Sequence, residues 1–142
     1  MFFFKLINGF GDKYPVKVSP RGELAVSNVE YSEAYNATAG TPDVAANFLG
    51  PQPDKFFAIT GITLRANQQV SNTADATVVI YEADAPDSIV STRDIFVTQM
   101  VKQNRESLTG LYLRTTPGKW INIKTTDDDI YATIFGYYTK TD

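Results

Sequence analysis

From residue 56 onward, short apolar segments alternate with polar side chains and end at turn residues. Alternation with a period of two is typical of β-strands that bury one face. The connections between these segments are too short for crossover helices, so the strands must pair mainly antiparallel. The pattern predicts strands near residues 56–66, 76–81, 89–97, 108–113, 120–123 and 130–138.

Two of these segments depart from simple alternation. Phe57 and Ile59 share one face of the first segment, whereas Ile62 and Leu64 continue one residue out of step. A β-bulge at Gly61 would restore a common face, because a bulge adds one residue to a strand. The segment 76–81 (ATVVIY) is apolar on both faces, which predicts a central strand covered on both sides.

The N-terminal part of the chain has weaker signals. Residues 12–27 predict a hairpin that turns at 19–22 (SPRG), where proline and glycine suit a type I turn, and a further strand is expected at 28–35. Residues 36–55 are rich in Ala, Gly, Pro, Asn and Asp and are interpreted as a long internal connection. Within it, Thr41-Pro42 before 43–49 and Gly50-Pro51 after it favour one short helix.

Together these elements predict an all-β fold: an antiparallel two-sheet sandwich, jelly-roll-like, with an extended N-terminal arm and at most one short helix. An immunoglobulin-like sandwich is the alternative topology. The predicted organisation is an N-terminal arm at residues 1–14 and a single β-sandwich domain at 15–142. A chain of 142 residues with 43% apolar residues suits one such domain. The tetrapeptide 116–119 (TPGK) is expected to be a hairpin turn.

The composition removes most enzyme classes. The chain has no cysteine and no histidine, which excludes thiol nucleophiles, imidazole bases and the usual structural zinc sites. A net charge of −3 and dispersed basic residues argue against nucleic acid and anionic membranes as partners. No glycine-rich phosphate loop is present, and neither a cofactor nor a metal is expected.

The apolar segment at the N-terminus is too short for a signal peptide, and no window of the sequence is long and apolar enough for a membrane-spanning helix.

The carboxylates carry no clear catalytic pattern. The five glutamates, Glu82 among them, are interpreted as solvated surface residues, and no catalytic residue is assigned. Asp127, Asp128 and Asp129 could offer oxygen ligands to calcium. Three consecutive aspartates point in different directions, however, and aspartate is common at turns, so a polar turn is the favoured interpretation.

Aromatic residues at the two ends are the most informative candidates for binding. On the last predicted strand, Ile130, Ala132 and Ile134 share one face, while Tyr131, Phe135 and Tyr137 share the other with Thr133. Either the connection at 36–55 covers that second face, or it meets another copy of the chain or a different subunit. Phe2, Phe3 and Phe4 cannot all point into one sandwich, which favours an arm that docks on a partner. The predicted partner-binding residues are therefore Phe2, Phe3, Phe4, Tyr131, Phe135 and Tyr137.

The stretch 56–138 resembles small β-sandwich virion proteins of tailed bacteriophages, in particular head decoration or cement proteins. The resemblance lies in 59–64 (ITGITL), 78–84 (VVIYEAD), 116–121 (TPGKWI) and 134–138 (IFGYY), and it covers a little over half of the chain. It implies a subunit on the outside of an icosahedral shell, often a trimer, that clamps neighbouring major capsid subunits. The resemblance assigns no functional residue to this chain, because these sequence segments are typical of a fold and not of a particular binding or catalytic site.

Three functions follow as hypotheses. The first is a non-enzymatic capsid decoration subunit, a homotrimer that binds the major capsid protein at the capsid surface and stabilises the lattice. The second is a carbohydrate- or receptor-binding module of a tail or fibre, with Trp120, Tyr112 or the C-terminal tyrosines as stacking platforms. A hydrolase that uses carboxylates ranks last.

Overall fold

The computed structural model describes the backbone of residues 3–7 and 13–17, and the full residues 32–66, 76–100, 105–126 and 130–140. The chain forms two compact units, Met1–Glu30 and Tyr31–Asp142. In the first unit, β1 (Phe3–Ile7) pairs antiparallel with β2 (Lys13–Lys17). The predicted turn at 19–22 lies outside the described residues. The arm at 1–14 stays a prediction, and its boundary falls inside β2.

Nine strands occur among the described residues of the second unit. No helix occurs within the ranges that the structure describes. The strands are β3 (Glu33–Ala39), β4 (Ala46–Leu49), β5 (Lys55–Ala66), β6 (Ala76–Ala83), β7 (Arg93–Met100), β8 (Arg105–Leu108), β9 (Leu113–Arg114), β10 (Trp120–Thr125) and β11 (Ile130–Lys140).

These strands form two antiparallel sheets in jelly-roll order. One sheet has the order β4-β10-β6-β7; the other has the order β3-β11-β5-β8, with β9 also paired to β5. The chain changes sheet at every connection except those between β6 and β7 and between β8 and β9. Such alternation wraps paired strands around a common core, as in a double Greek key. The predicted all-β, jelly-roll-like sandwich is confirmed.

The core lies between the two sheets and is built from inward-facing aliphatic side chains. Ile62, Leu64 and Ile134 from the five-stranded sheet meet Ile80 and Ile123 from the four-stranded sheet, and all five are essentially inaccessible to solvent. The alternation seen in the sequence exists because each strand places every second side chain in this layer.

The phase change in β5 is a bulge, as predicted. Opposite β5, Phe135 pairs with Gly61 and Gly136 pairs with Ile59, so Thr60 has no partner on β11. The extra residue shifts the alternation by one position, and both Ile59 and Ile62 are therefore buried in the core.

The central strand β6 is covered on its outer face by the segment 84–92. The Tyr81 hydroxyl donates a hydrogen bond to the Ser88 carbonyl oxygen (2.7 Å), and Lys124 Nζ donates to the Ile89 carbonyl oxygen (3.0 Å). Tyr81 is consequently fully buried, as expected for a strand covered on both sides. The strand predicted at 89–97 begins later than expected. Residues 89–92 belong to the segment that covers β6, and β7 begins only at Arg93.

The interpretation of residues 36–55 as a connection with a short helix is wrong. β3 extends through Ala39, and β4 occupies the helix position. Asp43 has a φ of 55° and its amide donates to the Thr125 carbonyl oxygen, which is incompatible with a helical turn there. Phe48 and Leu49 instead reach the core because β4 pairs with β10. Pairing with a distant strand overrides the local capping pattern.

One turn prediction and one strand prediction also need correction. Gly118 does adopt a positive φ of 79°, but the turn at 116–119 joins β9 to β10, which belong to different sheets, and is therefore not a hairpin. The segment 108–113 is not one strand. It ends β8 and begins β9, with a bend at Gly110 (φ 69°) between them.

Candidate functional site

The outward side of β11 carries the aromatic residues that the sequence singled out. Ile130, Ala132 and Ile134 are buried, whereas Tyr131 and Phe135 are 38% and 37% exposed, and Tyr137 is partly exposed. The predicted division of this strand into two faces is confirmed. We call the outward side chains Tyr131, Thr133, Phe135 and Tyr137 the aromatic face.

Polar residues of the neighbouring strands surround the aromatic face. Tyr131 lies between Thr38 of β3 and Arg65 of β5, and the Arg65 guanidinium carbon is 4.9 Å from the Tyr131 ring centroid. The Thr133 hydroxyl donates to Asn36 Oδ1 over 2.6 Å. The surface therefore combines rings with hydroxyl and amide groups and with the Arg65 guanidinium.

Phe135 rests on a glycine of the adjacent strand. Gly61 is its partner on β5, and a Cβ placed there would lie 3.4 Å from Phe135 Cδ2. Without a side chain at Gly61, the ring can lie close to the sheet, as aromatic residues do over glycines in other sheets. This packing holds Phe135 in place although more than a third of it remains accessible.

The alternative that the segment 36–55 covers the aromatic face is wrong. Residues 36–39 belong to β3, beside β11 in the same sheet, and β4 belongs to the other sheet. A strand in the plane of a sheet cannot cover the face of that sheet.

The N-terminal phenylalanines are placed only in part. Phe2 lies outside the described residues. Phe3 and Phe4 belong to β1, where their backbones are opposite Lys17 and Val16. Their role in partner binding stays a prediction, as does that of the aromatic face.

The other sequence candidates have different surroundings. Tyr112 is 58% exposed, whereas Trp120 is partly buried, with its ring over Gly50. Asp127, Asp128 and Asp129 lie outside the described residues. Among the residues that are described, no group of His, Cys, Asp and Glu side chains is arranged to hold a metal ion. No helix in that part of the chain is long and apolar enough to cross a membrane.

A buried carboxylate, Glu82, was interpreted wrongly as a surface residue. It is 2% exposed and continues the inward face of Val78 and Ile80. Its Oε1 accepts hydrogen bonds from Arg93 Nη2 and from the Thr116 amide, both over 2.6 Å. A buried charge requires such partners, because desolvation without them is costly. These two hydrogen bonds connect β6 to β7 and to the segment that follows β9. Glu82 therefore has a structural role.

A cluster of three aromatic rings forms part of the core and its border. The Phe57 ring makes edge contacts with Tyr35 and Tyr138, at centroid distances of 5.5 and 5.1 Å. A hydrogen bond to the Glu33 carboxylate, with burial and the Glu33 charge as further causes, raises the pKa of Tyr35 to about 12. Burial and the Glu33 charge also raise the pKa of Tyr138, whose hydroxyl donates to the Gly50 carbonyl oxygen.

These tyrosines predict a loss of stability at alkaline pH. Their pKa values are raised above 10 in the folded state, so the unfolded chain releases the protons first. The stabilisation is complete below about pH 10 and is lost as the pH rises towards 12. We expect the melting temperature to fall over that range, and to fall less steeply in Tyr35→Phe. Identical slopes for the two proteins would contradict the assignment.

Comparison with known proteins gives little further information. No family model matches the chain, and neither does any curated protein. A solved chain from the cyanophage Pam1 capsid asymmetric unit is similar over 85% of this chain and 96% of its own length, with 12% identity and a TM-score of 0.45. Similarity at this level assigns no function to the chain.

Proposed function

We propose that this chain is a non-enzymatic structural protein of a virion, a decoration or cement subunit that binds and stabilises a capsid lattice. The jelly-roll order of its sheets suits this role, since jelly rolls serve in viral capsid domains, but also in lectins. A fold alone does not assign a function. The observation that carries the proposal is the aromatic face of β11.

The aromatic face has the composition of a protein interface. In an antiparallel sheet with one solvated side, the outward residues of a central strand are expected to be polar. Here Tyr131 and Phe135 occupy that side on β11, which lies between β3 and β5. Aromatic residues are enriched in interface cores, and polar residues such as Asn36 and Thr63 are typical of the rim.

The proposed partners are further copies of this chain, in a homotrimer, and the major capsid protein at the capsid surface. A specific interface of this kind should bury roughly 1,200–2,000 Å² in total. The separate unit Met1–Glu30, with Phe2, Phe3 and Phe4, supplies a second point of attachment. Several attachments per trimer raise the effective affinity, because later contacts form within an already bound molecule.

The composition of purified particles tests this proposal. A decoration subunit should remain bound through density-gradient purification, at a copy number comparable to that of the major capsid protein. Quantitative mass spectrometry of the particles measures both. Absence of the chain from the particles would contradict a virion role. A handful of copies per particle would contradict the decoration role and favour a tail or fibre.

A further inference from the structure

A cleft of about 370 Å³ lies at the start of β7, away from the aromatic face. β7 is the edge strand of one sheet, and β9 pairs with β5 of the other, so the cleft lies where the edges of the two sheets meet. Its volume is within the range of small-molecule sites. It is lined by Arg93, Asp94, Ile95, Tyr112, Leu113 and Arg114.

One guanidinium in the wall of the cleft is anchored by two hydrogen bonds. Arg93 Nη2 donates to the buried Glu82 carboxylate over 2.6 Å and also to the Arg114 carbonyl oxygen. An arginine side chain has five N–H donors, and both of these bonds use Nη2. The hydrogens on Nε and Nη1 take no part in them. Because the Arg93 side chain is 50% exposed, it can present donors in a fixed orientation to a ligand.

Two more polar groups are positioned beside it. The Arg114 guanidinium carbon is 4.0 Å from the Phe56 ring centroid, so the ring supports one face of the guanidinium. Asp94 Oδ1 accepts a hydrogen bond from the Ser91 hydroxyl over 2.6 Å, which orients the carboxylate. A carboxylate has about four acceptor positions, so this bond leaves most of them for other donors.

The aromatic component of the cleft is Tyr112. It is 58% exposed, while the neighbouring Leu113 is partly buried in contact with the core. An exposed ring beside fixed donors and an oriented acceptor offers the apolar face and the hydrogen bonds that a sugar ring requires.

We propose that this cleft binds a saccharide, with a pyranose ring against Tyr112 and its hydroxyls bonded to Asp94, Arg93 and Arg114. The charges favour a hydroxyl-rich ligand over a simple anion. The positive charges of Arg93 and Arg114 are matched by the negative charges of Asp94, which also lines the cleft, and of Glu82, which is paired with Arg93. Phosphate would therefore gain little net attraction, whereas a sugar can use both the donors and the acceptor. The site does not depend on the proposed capsid role.

Titration of the full-length ¹⁵N-labelled chain, followed by NMR, tests the proposal. The probes are the methyl pyranosides of glucose, galactose and mannose, together with N-acetylglucosamine. At least one should give saturable shifts confined to amides of 93–95 and 112–114, with a Kd on the order of 1–10 mM. Tyr112→Ala should weaken this binding roughly tenfold without loss of spectral dispersion, because the ring is exposed.

Tyr131→Ala is the matched control, since it removes the same ring from the aromatic face, and it should leave the Kd unchanged. Three outcomes would overturn the inference: no saturable shift with any sugar, equal binding of sodium phosphate at the same amides, or weakening by Tyr131→Ala in place of Tyr112→Ala. The first two leave the capsid role unaffected, because that role is tested on particles.

Discussion

Gly136→Ala is expected to cost at least about 3 kcal/mol of folding free energy, or to prevent folding. A Cβ at this position would lie 2.1 Å from the Ala58 carbonyl oxygen and 2.7 Å from Phe57 Cε1. Ala58 is paired with both β11 and β9, so its carbonyl cannot move without separating strands of the sheet. Urea denaturation of the purified variant measures the loss.

Gly110→Ala is the matched control for this prediction. No heavy atom lies within 4 Å of a Cβ at Gly110, but its φ of 69° disfavours alanine, at a cost of about 1–2 kcal/mol. A loss for Gly136→Ala no larger than that for Gly110→Ala would show that β5 and β11 are not packed this closely.

The double substitution Tyr131→Lys and Phe135→Lys is expected to abolish self-association. Each ring is more than a third exposed in the isolated chain, so lysine fits without unfolding it. In an assembled interface, each change would bury a charge and remove an aromatic anchor, at a cost of about 2 kcal/mol or more. Two such losses weaken association roughly a thousandfold. Sedimentation equilibrium measures the change in molar mass.

Val97→Lys provides the comparison on the other sheet. Val97 lies on β7 and is 54% exposed, so the same substitution adds one charge to an accessible strand position outside the aromatic face. It should leave the molar mass unchanged. Equal dissociation by Val97→Lys, or persistent association of the double variant, would remove the aromatic face from the interface.

The sequence predicted the long strands correctly because each buries one continuous face. β11 alternates between buried and accessible side chains over most of its length, and the bulge of β5 beside Gly61 was visible as a change of phase. The two faces of β11, and with them the exposure of Tyr131 and Phe135, followed from the same alternation. The sequence could not show what covers that side, because this depends on the order of the strands.

Local signals failed where distant pairing decides the structure. The capping pattern before β4 is typical of a helix, but pairing with β10 gives an extended strand that buries Phe48 and Leu49. Pro117 and Gly118 specify a reversal of the chain, not which sheet the next strand joins.

The buried Glu82 was missed, although its position was predictable in part. Val78, Ile80 and Glu82 occupy every second position of one strand, which places the Glu82 carboxylate on the inward face. Its partners Arg93 and Thr116 are 11 and 34 residues away in sequence, so only the fold brings them together. The sequence also named Tyr112 as a stacking platform but not its neighbours in the proposed cleft, because Asp94 on β7 and Tyr112 just before β9 come together only in the fold.

Assembly of the chain through its exposed aromatic residues can be checked by its molar mass in solution. Sedimentation equilibrium of the unmodified chain should give three times the chain mass of 15.7 kDa, about 47 kDa. A mass of 15.7 kDa at every concentration would contradict it.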